Sequence, residues 1–368
     1  MTEPRRDVTG GRGPADSLEA NELLEVRDLQ VVYRRRRGLL GRGKDELRAV
    51  DGVTLSVREG EAVGLVGESG SGKSTVAQAV TRLVPVDSGS ITLRGRPLSA
   101  ASGKELRDLR RELQMVFQDP YSSLDPSMTI RSALREPLHV LGLKRSVDVE
   151  RVLHTALDAV GLPTSSLDKF PHEFSGGQRQ RIAIARALVP EPTMLILDEA
   201  VSALDVSTQA QVLGLLQDLR RERGLAYLFI GHDLAVVRRM SDRIAVMYLG
   251  RIVEEGPAER VVSHPAHPYT AALLAAVPDG RKDREHDRRK LIHRGANPDP
   301  WNRPVGCSFA TRCPFAMDIC FEQDPQTTGI RQGGTVDCHL QTSGATLAGE
   351  VLGDLVADHE HGGAEYAS

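Results

Sequence analysis

The feature that most constrains this chain is a glycine-rich segment, GESGSGKS, at residues 67–74. It matches the pattern G-x-x-x-x-G-K-[ST], in which glycines allow successive backbone N–H groups to point at one phosphate. The apolar run at 62–66 before it is typical of a strand buried on both faces, and residues 74–82 after it favour a helix. This strand–loop–helix order predicts a nucleotide-phosphate site in an α/β fold with a parallel sheet.

Two side chains of the loop are expected to act on the phosphates directly. Lys73 would bridge the β- and γ-phosphates, and the Ser74 hydroxyl would bind Mg²⁺. The motif alone fits a kinase, a GTPase or another nucleotide hydrolase equally well. The residues expected to contact the nucleotide in this region are Gly67, Glu68, Ser69, Gly70, Ser71, Gly72, Lys73, Ser74 and Thr75.

Two consecutive carboxylates follow a second apolar run, MLILDE at 194–199. The run predicts a buried strand, which would deliver Asp198 to the carboxyl edge of the sheet beside the phosphate loop. Asp198 is therefore a candidate Mg²⁺ partner, directly or through water. Glu199 is a candidate to orient and deprotonate the attacking water.

A second anion-binding nest is predicted about 100 residues after the first. The segment FSGGQRQR at 174–181 places Ser-Gly-Gly at the start of a predicted helix. One nucleotide in one chain does not need two nests, whereas two chains arranged head to tail do. The sequence therefore predicts a pair of nucleotide-binding chains, this chain with a paralogue or with a second copy.

Together these motifs resemble those of the ATP-binding-cassette (ABC) ATPases, whose signature is usually Leu-Ser-Gly-Gly-Gln. Phe174 replaces the leucine here, a change on the packing side of the motif. The remaining family motifs follow in order. Gln118 matches the Q-loop, Asp205 the D-loop, His232 the switch histidine, and Tyr33 the aromatic residue that stacks on adenine.

The resemblance implies that ATP and Mg²⁺ bind between two cassettes. The catalytic set would be Glu199, His232, Lys73 and Gln118, and the Mg²⁺ set Ser74, Gln118 and Asp198. Further nucleotide contacts would come from Tyr33, Asp205 and the signature residues Ser175, Gly176, Gly177 and Gln178.

The implied fold is a P-loop NTPase of the ABC type. It has a RecA-like parallel sheet, an antiparallel β subdomain and an α-helical signature subdomain. Residues 23–33 alternate apolar and charged side chains, which favours a half-buried edge strand. We expect a disordered tail at 1–20, the ATPase domain at 21–260 with a helical subdomain at about 119–190, a cysteine-containing extension at 261–341 and a polar tail at 342–368.

Longer segments are similar to the ATP-binding subunits of oligopeptide and dipeptide importers. They are FQDPYSSLDP at 117–126, AVSALDVS at 200–207, HPYT at 267–270 and the tail around 306–314. This resemblance implies two transmembrane permease subunits, a second ATPase subunit and an extracellular solute-binding protein as partners. The chain would lie on the cytoplasmic face of the membrane as a peripheral protein, and 119–127 would contact a permease.

Composition agrees with that assignment and excludes others. The net charge of −3 argues against a protein that coats nucleic acid, and no apolar run approaches the ~20 residues of a membrane span. Relatives of this type import peptides, and others import nickel, glutathione or another small solute. A non-transport ABC ATPase and a redox-sensing module remain open at this point.

All four cysteines lie in one short stretch, at Cys307, Cys313, Cys320 and Cys338. Stable disulfides are disfavoured if the chain is cytosolic. Four thiolates suit a [4Fe–4S] cluster or Zn²⁺, although the C-x₂₋₄-C pairs typical of zinc sites are missing. The alternatives are a [4Fe–4S] cluster, Zn²⁺, or buried thiols without metal.

Overall fold

Two β-sheets organise the residues that the structure, a computed structural model, describes: 22–36, 44–119, 123–143, 148–276, 299–342 and Leu352. The strands in chain order are β1 (Glu22–Arg36), β2 (Lys44–Arg58), β3 (Ala62–Val66), β4 (Ser88–Leu93), β5 (Arg96–Pro97), β6 (Leu113–Val116), β7 (Met194–Asp198), β8 (Ala226–Gly231), β9 (Arg243–Tyr248), β10 (Arg251–Pro257), β11 (Thr327–Gly329) and β12 (Thr335–Asp337).

The helices within the described ranges surround these sheets. They are α1 (Lys73–Val80), α2 (Gly103–Glu112), α3 (Ile130–Val140), α4 (Val149–Asp158), α5 (Gly176–Leu188), α6 (Val206–Arg223), α7 (Leu234–Met240), α8 (Ala258–Ser263), α9 (Pro268–Ala275), α10 (Ile319–Glu322) and α11 (His339–Thr342). No helix in the described part of the chain is both long and apolar enough to cross a membrane.

The larger sheet has the order β11-β12-β10-β9-β3-β8-β7-β6. Strands β9, β3, β8, β7 and β6 pair in parallel, and β3, β7 and β8 are buried along their whole length. This burial explains why their sequences are continuous apolar runs, since helices cover both faces of such a sheet. The carboxyl ends of β3, β6, β7 and β8 meet at one edge, which is where the candidate site lies.

The smaller sheet is antiparallel, with the order β2-β1-β4-β5. β1 lies between β2 and β4, so the expectation of an edge strand at 23–33 is wrong. Its alternating apolar and charged residues have another cause: one face of this central strand packs on the core and the other faces solvent.

Helices α3, α4 and α5 lie between β6 and β7 in the sequence and pack on one another through a shared apolar core. At the start of α5, Gly177 is buried against α6. A Cβ atom placed on Gly177 would lie 2.1 Å from the Thr208 Cγ2 methyl group. The second glycine of the signature therefore has a packing reason for its identity that the sequence does not reveal.

The C-terminal extension contributes strands β11 and β12 to the larger sheet. Strand β12 pairs with β10, at Val336 with Glu254 and Thr335 with Glu255. The fully buried Glu254 carboxylate accepts the backbone N–H groups of Ala266 and His267 at 2.9 Å each and pairs with Arg260. The expected tail at 1–20, and that at 342–368 apart from Thr342 and Leu352, lie outside the described residues.

Candidate functional site

The phosphate loop leads from β3 into α1 and folds around the Lys73 side chain. The Lys73 Nζ atom donates to the carbonyl oxygens of Gly67 and Glu68, both at 2.9 Å, and to the Ser71 hydroxyl at 3.4 Å. Burial lowers the pKa of Lys73, while nearby carboxylates, with that of Glu199 first among them, oppose this. The ammonium group is thus buried at the N-terminus of α1, where an anionic phosphate would offset its desolvation.

Asp198 ends β7 directly beside the loop. The Ser74 hydroxyl donates to Asp198 Oδ1 at 3.1 Å. Burial raises the pKa of Asp198, and the hydrogen bond from Ser74 opposes that rise. A buried carboxylate next to a hydroxyl is an oxygen donor set of the kind that Mg²⁺ prefers, so the residues present fit this ion.

Glu199 is the point at which three predicted residues meet. Gln118 Nε2 donates to Glu199 Oε2 at 2.7 Å, and His232 Nδ1 lies 3.4 Å from the same oxygen. The Glu199 backbone has a φ of 47°, a left-handed conformation that is uncommon for a residue with a Cβ and that clusters at functional sites. A carboxylate held between an amide and an imidazole is positioned to accept a proton from water.

A cavity of about 1030 Å³ connects these groups. Of the predicted residues, the structure brings the following to its wall: Tyr33, Ser69, Gly70, Gly72, Lys73, Ser74, Thr75, Gln118, Glu199 and His232. Residues that the sequence did not predict complete the wall. They come from β2, from the turn between β9 and β10, from the first residue of β10, and from the extension: Glu46, Leu47, Arg48, Ala49, Asp51, Leu249, Gly250, Arg251 and 300–304.

The signature residues are not part of this wall. Ser175 begins α5 with a reciprocal capping pair: its Oγ accepts the Gln178 N–H at 3.3 Å, and Gln178 Oε1 accepts the Ser175 N–H at 3.0 Å. Asp205 caps α6 by accepting the Thr208 N–H at 3.0 Å and is likewise absent from the cavity wall. The structure therefore brings together the phosphate loop and the end of β7, but not the signature motif.

The C-terminal extension contacts the phosphate loop directly. The side chain of Glu68 pairs with Arg312 at 2.9 and 3.1 Å, and its backbone N–H donates to the Tyr269 hydroxyl at 2.8 Å. The Arg312 guanidinium also lies near the rings of Tyr248 and Phe309, at 5.8 and 5.9 Å from their centroids. Sequence reasoning singled out the segments containing Tyr269 and Arg312 but assigned neither residue a contact.

The four cysteines are free thiols, three of them buried and Cys313 half-buried. Burial raises the pKa of Cys307 to about 11 and that of Cys313 to about 12, so both are protonated at neutral pH. Among the residues that the structure describes, no group of three or more His, Cys, Asp or Glu side chains is placed to hold a metal ion. The expected [4Fe–4S] cluster and its Zn²⁺ alternative therefore receive no support from the positions of Cys307, Cys313, Cys320 and Cys338.

Two family models match this chain. A family model described as ABC transporter matches residues 50–202, and one described as the C-terminal region of oligopeptide/dipeptide transporters matches residues 253–320. The oligopeptide transport ATP-binding protein AppF of Bacillus subtilis is 46% identical over 319 residues, which cover 86% of this chain and 97% of AppF.

Solved structures of ABC transporter proteins share the fold of this chain. CbiO1 of Clostridium perfringens, part of an ABC transporter complex, is 27% identical with a TM-score of 0.55, over 66% of this chain and 91% of that one. The cassette MJ0796, in a dimeric post-hydrolysis state bound to ADP and Pi, is 28% identical with a TM-score of 0.54. The match covers 64% of this chain and 98% of MJ0796. The chain belongs to the ABC transporter family of ATP-binding proteins, in the branch that carries the oligopeptide/dipeptide transporter C-terminal region.

Proposed function

We propose that this chain hydrolyses ATP to power the import of oligopeptides and dipeptides across the cytoplasmic membrane, as one ATPase subunit of a multi-subunit ABC transporter. The observation that carries the hydrolytic role is the convergence of Gln118 and His232 on Oε2 of Glu199, beside the phosphate loop. The peptide substrate is supported by the C-terminal region at 253–320 and by the similarity to AppF.

Within one subunit, each group has a distinct task. Lys73 and the backbone N–H groups of the loop bind the β- and γ-phosphates. Ser74, Gln118 and Asp198 would hold Mg²⁺, which neutralises phosphate charge when it is bound. Glu199 takes the proton of the attacking water. His232 positions the Glu199 carboxylate and lies on the side of the cavity that would face the γ-phosphate.

A second cassette would complete the site. Ser175, Gly176, Gly177 and Gln178 do not line the cavity of their own chain, which supports the idea that they close over the nucleotide of a partner. The dimeric state of the related MJ0796 cassette, bound to ADP and Pi, supports the same arrangement. Asp205, at the start of α6, would lie at the contact between the two cassettes.

Coupling to the membrane would pass through residues 119–127. Gln118 immediately precedes this segment, in which the Ser127 N–H donates to Asp125 Oδ1 at 2.9 Å; residues 120–122 lie outside the described ranges. The proposed partners are two permease subunits, a second ATPase subunit and an extracellular solute-binding protein. The chain would then lie on the cytoplasmic face of the membrane, with an ATPase domain at 21–260 and the extension at 261–341.

The decisive experiment combines co-purification with a Glu199→Gln variant. Extraction of the tagged chain with two multi-span membrane proteins supports the transporter assignment, whereas a purely soluble complex contradicts it. Glu199→Gln should keep ATP binding and lower ATP turnover by about 10²-fold or more, the scale of losing a positioned base. Exposed Glu222→Gln, at the end of α6, is the matched control and should retain full turnover.

Uptake measurements then separate the candidate cargoes. Vesicles that contain the complex and its binding protein should accumulate labelled dipeptides and oligopeptides only when ATP is present. Accumulation of nickel or glutathione without peptide uptake would replace the peptide assignment while leaving the ATPase role intact.

A further inference from the structure

A short segment of the C-terminal extension, Pro300–Pro304, forms part of the wall of the nucleotide cavity. It shares that wall with Tyr33 of β1 and with Lys73 of the phosphate loop. The side chain of Trp301 is 40% exposed, much like the 39% of Tyr33. Two large aromatic side chains from distant parts of the sequence are therefore accessible from one cavity.

Charged contacts anchor this segment to the ATPase domain. Arg303 pairs with the buried carboxylate of Asp51 on β2 and donates to the carbonyl oxygen of Leu249 in the turn between β9 and β10. Arg251 extends the anchor, because its Nε lies 2.8 Å from Asp51 and its Nη1 lies 2.8 Å from Asp324 of the extension. Burial opposes ionisation of Asp51, but Arg251 and Arg303 outweigh it and lower the pKa of this carboxyl, so the anchor is ionic at neutral pH.

A local turn at Asp299 holds the backbone at Trp301. The side chain of Asp299 accepts the Trp301 N–H at 3.0 Å, and its carbonyl oxygen accepts the Asn302 N–H at 2.9 Å. The backbone on both sides of Trp301 is therefore held, by this turn before it and by Arg303 after it. Because the backbone around Trp301 is already ordered and its side chain lines the cavity, contact with a planar ligand would cost little backbone freedom.

The chemistry of the wall identifies which part of a nucleotide such a ring would meet. The phosphates are accounted for by Lys73 and the loop N–H groups, and the charge of Arg303 is already paired with Asp51. What the indole offers is a π-face and one N–H donor, which suit a purine base. We propose that Trp301 makes a second aromatic contact to the base of the bound nucleotide, beside Tyr33, so that the extension forms part of the base site.

This inference rests on the proposed assignment of the cavity to ATP, and it has a direct readout. Trp301 is the single tryptophan of the chain, so intrinsic tryptophan fluorescence reports on this one position. Titration of the full-length protein with MgADP should quench that fluorescence with the same midpoint that calorimetry gives for binding. Magnesium tripolyphosphate, which has phosphates but no base, should bind with a much smaller fluorescence change.

Substitutions of Trp301 test how much this contact contributes to the binding free energy of MgADP. Stacking on a base is worth about 1–3 kcal/mol, so Trp301→Ala should raise the dissociation constant of MgADP by about 5- to 150-fold. Trp301→Phe should recover most of that loss, and neither change should alter binding of tripolyphosphate. Phe321→Ala removes another exposed aromatic residue of the extension that does not line the cavity, and it should leave MgADP binding unchanged.

The results that would overturn the inference are distinct from those that would overturn the function. If MgADP binds normally, the fluorescence of Trp301 stays constant at saturation and Trp301→Ala binds as tightly as the parent, the base contact is refuted and the ATPase role stands. If the parent chain binds neither MgADP nor tripolyphosphate, the assignment of the cavity fails and the inference fails with it.

Discussion

The ion pair between Arg312 of the extension and Glu68 of the phosphate loop should stabilise both the fold and the nucleotide site. The Arg312 side chain is 4% exposed and that of Glu68 is 25% exposed. Two N–O contacts of 2.9 and 3.1 Å join them in a bidentate arrangement, and Arg312 Nη1 lies a further 3.3 Å from the Tyr248 hydroxyl. Charge-assisted pairs with this geometry are the strong class of protein hydrogen bonds.

The expected cost of Arg312→Ala follows from this burial. Removing one partner of a fully buried pair costs about 3–5 kcal/mol, because the other charge is left without a partner. Water reaches a quarter of the Glu68 side chain, so its charge is partly rehydrated after the change. We therefore expect a loss of roughly 2–3 kcal/mol in the free energy of unfolding, in the range measured for hydrogen bonds to charged groups.

A matched control is available within the same chain. Arg238 makes the same type of bidentate pair with Glu259, but the two side chains are 46% and 70% exposed. Arg238→Ala should therefore cost about 0–1 kcal/mol. The comparison measures what burial adds, together with the contacts of Arg312 to Tyr248 and Phe309, because both pairs join an arginine to a glutamate through two nitrogens.

The assay is urea unfolding of five full-length proteins: the parent, Arg312→Ala, Glu68→Gln, the double variant of these two and the control Arg238→Ala. Because the two side chains contact each other, the coupling energy should exceed about 0.5 kcal/mol. Steady-state kinetics should show a raised KM for MgATP and a nearly unchanged kcat, because Glu68 also accepts from Lys73 through its carbonyl oxygen and so shapes ground-state phosphate binding. Additive effects, or a cost for Arg312→Ala no larger than for Arg238→Ala, would refute the reasoning.

Two further substitutions test the site and the signature helix. Asp198→Asn should leave the nucleotide-free protein as stable as the parent or more so, because burial raises the pKa of the Asp198 carboxyl and its charged form therefore opposes folding at pH values above that pKa. The same substitution should abolish Mg²⁺-dependent ATP turnover. Thermal unfolding and ATPase assays measure the two effects, and a large loss of stability would contradict the pKa argument. Gly177→Ala should lower the free energy of unfolding by about 1–3 kcal/mol, because the new methyl group clashes with the Thr208 methyl group. Adding Thr208→Ala should restore most of that loss in urea unfolding. A purely nucleotide-binding role for Gly177 predicts no such rescue.

The parts of the site that the sequence predicts are those with local patterns. Apolar runs ending in polar residues place Asp198 and Glu199 at the edge of the sheet, and parallel pairing of β7 with β8 brings His232 to the same edge. The glycines and Lys73 indicate the phosphate loop by spacing alone. The structure places these side chains where the sequence predicts them, because each placement depends on a few neighbouring residues and on one general property of parallel sheets.

Other features depend on residues that are far apart in the sequence, and no local pattern contains them. Glu68 and Arg312 are 244 positions apart, and Asp51 and Arg303 are 252 apart. An edge position was expected for β1 because alternation of apolar and charged residues does not distinguish an edge strand from a central strand with one solvated face. The left-handed backbone of Glu199 likewise has no sequence signal, since that conformation is ordinarily occupied by glycine.

These long-range contacts change how the extension is understood. It contacts the ATPase domain at two places near the nucleotide cavity, through Arg312 on Glu68 of the phosphate loop and through Arg303 on Asp51 of the cavity wall. The turn that carries Arg312 begins at Cys307, whose carbonyl oxygen accepts the Ala310 N–H at 3.0 Å and whose own N–H donates to the carbonyl oxygen of Cys320 at 2.8 Å. The backbone of one cysteine-bearing turn thus leads directly to Arg312, whose guanidinium pairs with Glu68 of the phosphate loop.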